Sequence, residues 1–346
     1  MVRVVRIGII LGLLLAVCGC QSESRPSSPV RTEPQPPVVK TPQAGPDEVK
    51  PAVKLALRFV PGPAGTYRAV LEQGKSVSWH GPESTKPDGF EDGHTDNRTE
   101  ITFGQEVLSV DPAGDAVAQI TITALKYFNR VHNKVGLDFD SARQADQDNP
   151  LAKLIGRSYQ IKLSRRGDVL GIVEVAQARS AISATSPAYQ IVERMLSDDG
   201  IRERHTITAL TALQKDPVSL GQSWSSEKSF SFSWMGSKSF ERIYTLRDVS
   251  ESDGVRLATI EMKAIPAAGQ PQQGLPAMGP FAGAFDNTSN YDGRCVFELA
   301  GGRIRECTEQ MRSEWVMMDP EAVQNGAVPR AVKMAASWSR RLELVK

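Results

Sequence analysis

Two cysteines near the C-terminal end, Cys295 and Cys307, bracket Cys295-Val-Phe-Glu-Leu-Ala-Gly-Gly-Arg-Ile-Arg-Glu-Cys307. The spacing is that of a β-hairpin, and the chemistry offered is a disulfide of an extracytoplasmic protein. Register decides the pairing. A three-residue loop, Ala300-Gly301-Gly302, sets the cysteines opposite each other, whereas a two-residue Gly301-Gly302 turn moves them to opposite faces. A bond also needs the two Cα atoms within roughly 7 Å. The disulfide is the expectation, with the register left open. Other chemistry is sparse. The histidines are His80, His94, His132 and His205, with no two at helical ligand spacing and no His-Glu-x-x-His, so no metal site is expected. Asp88, Glu91, Asp92, His94 and Asp96 could gather oxygens around Ca²⁺, but their spacing is not that of an EF-hand, and a solvated hairpin loop is the simpler reading. There is no Gly-x-Ser-x-Gly, the serines of 180–186 lack the lysine of Ser-x-x-Lys, and Gly301-Gly302 is a turn rather than a phosphate cradle. No catalytic residue and no cofactor is expected; the chain is not read as an enzyme.

The remaining cysteines stand at the N-terminus. Arg3 and Arg6 precede an apolar run, Ile7 to Val17, followed by Val17-Cys18-Gly19-Cys20. The run has signal-peptide length and is short for a membrane span. The segment resembles a bacterial lipoprotein signal, in which a small residue precedes a cysteine that is lipidated and becomes the mature N-terminus. The resemblance implies lipidation of Cys20, since Gly19 is small and Val17 before Cys18 is not. The alternative is a plain secretory signal with two incidental cysteines. Removal of residues 1–19 takes two of the 41 basic residues against 40 acidic ones, so the formal charge passes from +1 to −1. That balance excludes the strong basic excess of a nucleic-acid binder. Gln21, which is not Asp, implies passage to the outer membrane where there are two membranes. The expected location is the bacterial cell envelope, membrane-anchored, with the folded part outside the cytoplasm.

Residues 20–54 then read as a tether. Pro26, Pro29, Pro34, Pro36, Pro37, Pro42, Pro46 and Pro51 are spread among polar residues that cannot bury a core. At about 3.1 Å per residue in the polyproline conformation, it reaches roughly 100 Å.

The elements behind it are mostly strands. Leu55, Leu57 and Phe59 alternate with Ala56, Arg58 and Val60, Pro61–Gly65 turns, and Thr66–Val77 is a second strand. A hairpin turns at Asp111-Pro-Ala-Gly-Asp115, residues 131–156 are irregular with a short helix at Pro150–Ile155, and a second hairpin, Tyr159–Ile172, turns at Gly167. Helices are expected only in 174–215, starting at Ser186-Pro187 and broken at Asp198-Asp-Gly200. A second β run opens at Gly221-Gln-Ser-Trp224 and turns at Gly254 and again at Gly302; the tail, Ala331–Val345, reads as a closing strand on the alternation of Leu342 and Leu344, with a short helix as the alternative. From Gly114 to Gly167 is 53 residues and from Gly254 to Gly302 is 48. Matching order and interval suggest one β-rich unit built twice. The expected fold is therefore mainly β (α+β), with two similar curved antiparallel sheet units, 55–215 and 216–346, and a helical segment at 174–215 between them.

Leu137-Asp-Phe-Asp-Ser141, Pro150-Leu-Ala-Lys-Leu-Ile-Gly156, the Tyr159–Ile172 hairpin and Gly221-Gln-Ser-Trp224 resemble a family of uncharacterised bacterial envelope lipoproteins, known as a domain of unknown function. The likeness is expected to span most of Val53–Lys346. The layout also resembles the lipoprotein-carrier half-barrel, a curved sheet with helices on its concave face. That resemblance implies a non-catalytic binder of a hydrophobic ligand or envelope component. The alternative is a structural or interaction module with no ligand. Apolar residues of Ile182–Leu213 are candidates to line a cavity or simply to fill the core, and Leu275, Met278, Phe281 and Phe285 are candidates for a partner or membrane contact or for a packed flap over the sheet edge. Partners are expected to be the membrane, through the anchor, and a hydrophobic ligand or envelope protein.

Overall fold

The computed structural model describes residues 52–232, 237–267, 285–318 and 330–345. The signal, Cys20, the tether before Ala52, and Leu275, Met278 and Phe281 lie outside the described residues. Residues Val49–Lys346 form one compact unit.

Period-two alternation builds almost everything. In β4 (Ala116–Val131), Ala116, Ala118, Ile120 and Ile122 are buried and the residues between them are half-buried. The first run comprises β2 (Gly62–His80), β3 (Gly93–Val110), β4, β5 (Lys134–Asp140), β6 (Ser158–Leu163) and β7 (Val169–Val173). Four short helices follow: α1 (Val175–Arg179), α2 (Tyr189–Met195), α3 (Asp198–His205) and α4 (Thr208–Thr211). The second run is β9 (Ser223–Ser231), β10 (Ser237–Ser252), β11 (Val255–Pro266), β12 (Phe285–Glu298), β13 (Arg303–Met318) and β14 (Ala331–Leu344). A two-strand ribbon pairs β1 (Ala52–Val53) with β8 (Val218–Ser219).

The two runs are wings of one antiparallel sheet. Its strand order is β7-β6-β4-β3-β2-β14-β13-β12-β11-β10-β9, with β5 on the far half of β4 beyond β6. The chain crosses the sheet in the same direction twice, β2 to β7 and then β9 to β13, and β14 lies between β13 and β2. The expected boundary at 215/216 is where the chain leaves α4 for β8, and a single hydrophobic core is shared by both wings.

The second wing is rolled. Phe230 of β9 and Trp338 of β14 are five strands apart, about 24 Å in a flat sheet at the usual strand spacing. Their ring centroids are 5.5 Å apart. Phe232 meets Trp315 of β13 at 5.0 Å, and Phe240 and Tyr291 fill the space between. These aromatics make a solid filling inside the curl. Among the described residues the curl is not closed by hydrogen bonds: β9 and β7 are the two ends of the sheet.

The extended segment 54–60 is not the strand its alternation suggests. It runs as a strap under the hairpin turns, and its amides bond to turns rather than to a neighbouring strand. Leu57 N–H donates to Arg165 C=O and Arg58 N–H to Gly302 C=O, both at 2.8 Å. The strap thus holds the turns of both hairpins that the sequence paired. Gly302, at φ +58°, allows this approach, because a Cβ there would stand 2.9 Å from the Arg58 nitrogen. Two further differences have local causes. Residues 134–140 form β5 because His132 and Asn133, at φ 45° and 65°, make a two-residue mirror-image turn after β4. The helix break falls at Leu196-Ser197, not at Asp198-Asp-Gly200. Ser197 Oγ accepts from Gly200 N–H and caps α3, so both aspartates occupy its first turn, where the helix dipole favours them.

Cys295 and Cys307 are disulfide-bonded, directly opposite in register, with Cα atoms 4.1 Å apart. Neither anticipated turn produces this. The loop has four residues, Leu299–Gly302, and a bulge at Arg305 restores the register. The bond closes a 12-residue separation, for which chain entropy gives about 3 kcal/mol. The double variant Cys295→Ser/Cys307→Ser is expected to unfold at lower urea with a loss of roughly 3 kcal/mol and an unchanged far-ultraviolet dichroism spectrum. Equal midpoints for the two proteins would contradict this.

Candidate functional site

Three charged side chains sit on inward positions of otherwise apolar strand faces. They are Arg242 between Phe240 and Tyr244, Glu309 between Cys307 and Met311, and Arg340 between Trp338 and Leu342. An isolated buried carboxylate is costly, so its surroundings must compensate it. Glu309 accepts from the Tyr291 hydroxyl and the Thr208 hydroxyl, each at 2.6 Å, and from Arg242 at 3.4 Å. Burial alone would raise its pKa. Arg340, Arg242 and Lys228, with the Thr208 hydroxyl, outweigh burial and hold it below the ordinary value. Burial and the Glu309 charge together push the Tyr291 hydroxyl far up, so it stays a donor. Ser226 Oγ, Arg242 Nε and the Tyr244 hydroxyl are buried beside this cluster without a hydrogen-bond partner among the described residues, a setting that ordered water would complete.

The cluster ties the helices to the sheet. Arg340 donates to the carbonyls of Arg204 and Thr206 at the C-terminal end of α3, where a cation suits the dipole. Lys228 lies 3.5 Å from Glu203 of α3. Arg204 donates to the Tyr159 hydroxyl at 3.0 Å, and that hydroxyl meets His205 Nε2 at 2.8 Å. Burial, with Arg204 and Arg340 nearby, holds His205 well below its ordinary value, so it is neutral at pH 7. The Tyr159 hydroxyl and His205 Nε2 share one hydrogen bond, and the imidazole packs edge-on against Phe103 at 4.8 Å.

Between α2, α3 and the first wing lies a cavity of about 330 Å³. Ala69 and Leu71 of β2 and Ile101 of β3 form its apolar floor, and Ile191 and Met195 of α2 face them from above. Gln73, Asn97, Thr99 and Tyr127 line one end; Asn97 Nδ2 donates to the Tyr127 hydroxyl at 2.7 Å. The charged groups on its wall are Arg194, Asp199, Glu203, Arg204 and Arg340. The volume is at the small end of the range for ligand sites, and the mix of apolar floor and few polar groups is typical of them.

The sequence candidates fall in different places. Ile191 and Met195 line the cavity, whereas Ile182, Val192, Leu196, Ile201, Ile207, Leu210 and Leu213 are buried core. Cys295 and Cys307 lie on the inner face of the second wing and do not line the cavity, although Cys307 pairs with Leu342 of β14, which in turn pairs with Ala69 of the cavity floor. The acidic loop is dispersed: Asp92 accepts from Trp79 N–H, and Asp96 pairs with Arg130 at 2.8 Å and His94 at 3.5 Å. Among the described residues, no group of three or more His, Cys, Asp or Glu could hold a metal ion. His80 meets the Ser78 hydroxyl, and His132 sits on the exposed turn before β5. Sequence reasoning missed Arg194, Arg204, Glu309 and Arg340. For the last two a signal existed, a charge at an inward position of an alternating strand.

Residues 113–274 match the model of a family of unknown function (DUF6263). That span contains all four motifs quoted above and is narrower than the Val53–Lys346 likeness expected. No curated protein matches the sequence. Two solved structures are similar in part. One, of lipovitellin and its lipid–protein interactions, is 12% identical, with 84% of this chain and 26% of that chain covered at a TM-score of 0.37. This chain thus spans about a quarter of that protein. The other, DynF from the dynemicin biosynthesis pathway of Micromonospora chersina, is 7% identical, with 88% and 92% covered at a TM-score of 0.15. Both scores are low, and neither likeness bears on function.

Glu309 generates a pH dependence. Its folded pKa is depressed, so its contribution is present above its ordinary value of 4.5 and is lost as pH falls through the lower folded value. Glu309→Gln is expected to cost about 3–5 kcal/mol at pH 7, because it strands buried cations. The gap to wild type is expected to narrow in urea unfolding at pH 3. A gap of the same size at both pH values would show that the carboxylate charge is not what stabilises the site.

Proposed function

We propose that the protein is a lipid-anchored, non-catalytic binder of the bacterial cell envelope, holding a small hydrophobic ligand between the first wing and α2–α3. The observation that carries this reading is the cavity, set between the inner face of the first wing and two helices. Its floor of Ala69, Leu71 and Ile101 and its cover of Ile191 and Met195 favour an apolar body by removing it from water, at roughly 25 cal/mol per Å². The helices that cover it are short and held to the sheet at one end through Arg340 and Lys228. The anchor rests on the sequence: Cys20, preceded by a signal-like apolar run, and a proline-rich tether that keeps the folded unit away from the membrane surface. The location in the envelope, and in the outer membrane where there are two, rests on the same residues.

A second reading, a structural or interaction module with no ligand, is favoured by the rolled wing. Its interior is filled by Phe230, Phe232, Phe240, Tyr291, Trp315 and Trp338, whose rings pack against one another. Native mass spectrometry of residues 20–346, made without lipid, separates the two. A bound hydrophobic molecule of a few hundred daltons is expected with the wild type and is expected to be absent from Thr99→Trp, which fills the cavity while the unfolding free energy from urea titration stays within about 1 kcal/mol of wild type. A ligand-free wild type that also takes up no apolar dye would favour the module. Anchoring is tested separately, by loss of palmitate labelling in Cys20→Ser.

A further inference from the structure

The charges on the cavity wall are unequally committed. Glu203 is engaged by Lys228, and Arg340 by the α3 carbonyls and the Glu309 cluster. Asp199 stands exposed in the first turn of α3. Arg204 is different. It is half-buried and fixed from two sides, by the Met195 carbonyl at 2.7 Å and the Tyr159 hydroxyl at 3.0 Å, yet it makes no ion pair among the described residues. Two of its five N–H groups are used, which leaves three donors on a guanidinium that lines the cavity. Arg194, one turn before α3, lines the same cavity and is exposed. It has no side-chain hydrogen bond or ion pair among the described residues, and its charge is felt at the Tyr127 hydroxyl.

A planar cation held rigid by neutral acceptors, and left without a carboxylate, is pre-organised for an oxyanion. Its partners cost it none of its charge, and its orientation is settled before a ligand arrives. We propose that the ligand is an anionic amphipath: its oxyanion head, a carboxylate or phosphate, binds Arg204 with support from Arg194, and its apolar body lies on Ala69, Leu71 and Ile101 under Ile191 and Met195. Three arginines against two carboxylates give the wall a net positive charge even with Asp199 and Glu203 counted. This inference rests on the binding reading above and adds the head-group chemistry.

The test compares three ligands with one tail: dodecanoate, dodecyl phosphate and dodecanol. Each displaces an apolar fluorescent dye from residues 20–346 made without lipid. At least one anion is expected to compete at a concentration tenfold or more below dodecanol, and the better of the two identifies the source of the oxyanion. Arg204→Gln is expected to bring the anion to the level of dodecanol and to leave dodecanol unchanged. Arg204→Lys is expected to keep part of the preference. Because Arg204 also steadies Tyr159, Arg194→Gln serves as a second variant at an exposed position, expected to reduce the preference severalfold without moving the urea midpoint. If all three ligands bind the wild type alike, or the preference survives Arg204→Gln, the head-group assignment is overturned while the binding reading stands. If none binds, both are overturned.

Discussion

A carboxylate in an apolar interior must be answered, and much of this molecule is the answer to Glu309. It sits on β13, in the rolled wing, facing strands that would otherwise pack as a plain aromatic core. Arg242 reaches it from β10, Tyr291 from β12, Thr208 from α4, and the field of Arg340 from β14 and Lys228 from β9 holds it ionised. Each partner comes from a different element, so the ion cannot be satisfied unless the sheet is rolled and the helices are seated. The roll places aromatic rings from strands five apart in contact. The seating of α3 by Arg340 and Lys228 fixes one end of the helical cover, and the cavity lies beneath it. Solid packing in one wing and open space in the other are therefore linked through the same helix.

Strand content was legible because alternation is a local signal. The hairpins at Gly114, Gly167, Gly254 and Gly302 were readable from turn chemistry, and the alternation of Leu342 and Leu344 favoured a strand over a short helix at 331–345. The strap of 54–60 was misread for the same reason: Leu55, Leu57 and Phe59 alternate like a strand, but their amides bond to turns. β5 escaped notice because His-Asn is a less familiar mirror-image turn than Asn-Gly. The disulfide turned on a bulge at Arg305, and a bulge leaves no mark in hydrophobic periodicity.

The candidate site was less legible than the fold. Ile191 and Met195 could be placed on one helical face, but which apolar residues bound a space and which fill a core depends on what they meet across the sheet. Arg204 gave no local sign at all. Its significance comes from Tyr159, 45 residues earlier, and from the Met195 carbonyl at the end of the preceding helix. Arg340 and Glu309 could have been noticed as charges out of step with their strands, since a charge on an inward position demands a partner wherever that partner lies in the chain.

The place of β14 carries a consequence in time. Its whole length pairs with β2, from Leu344 with Tyr67 to Ala331 with His80, so partners lie at opposite ends of the chain. Strands β2 to β7 can zip in the order in which they are made, and so can β9 to β13. Neither half can be joined to the other until the last residues exist. At roughly 5–20 residues per second of synthesis, the inner edge of β2 stays open for tens of seconds. Its backbone groups are then available to any passing strand. A nascent chain of this design keeps a long unpaired seam until β14 is made, and the 14 residues of that strand act as the clasp that shuts it.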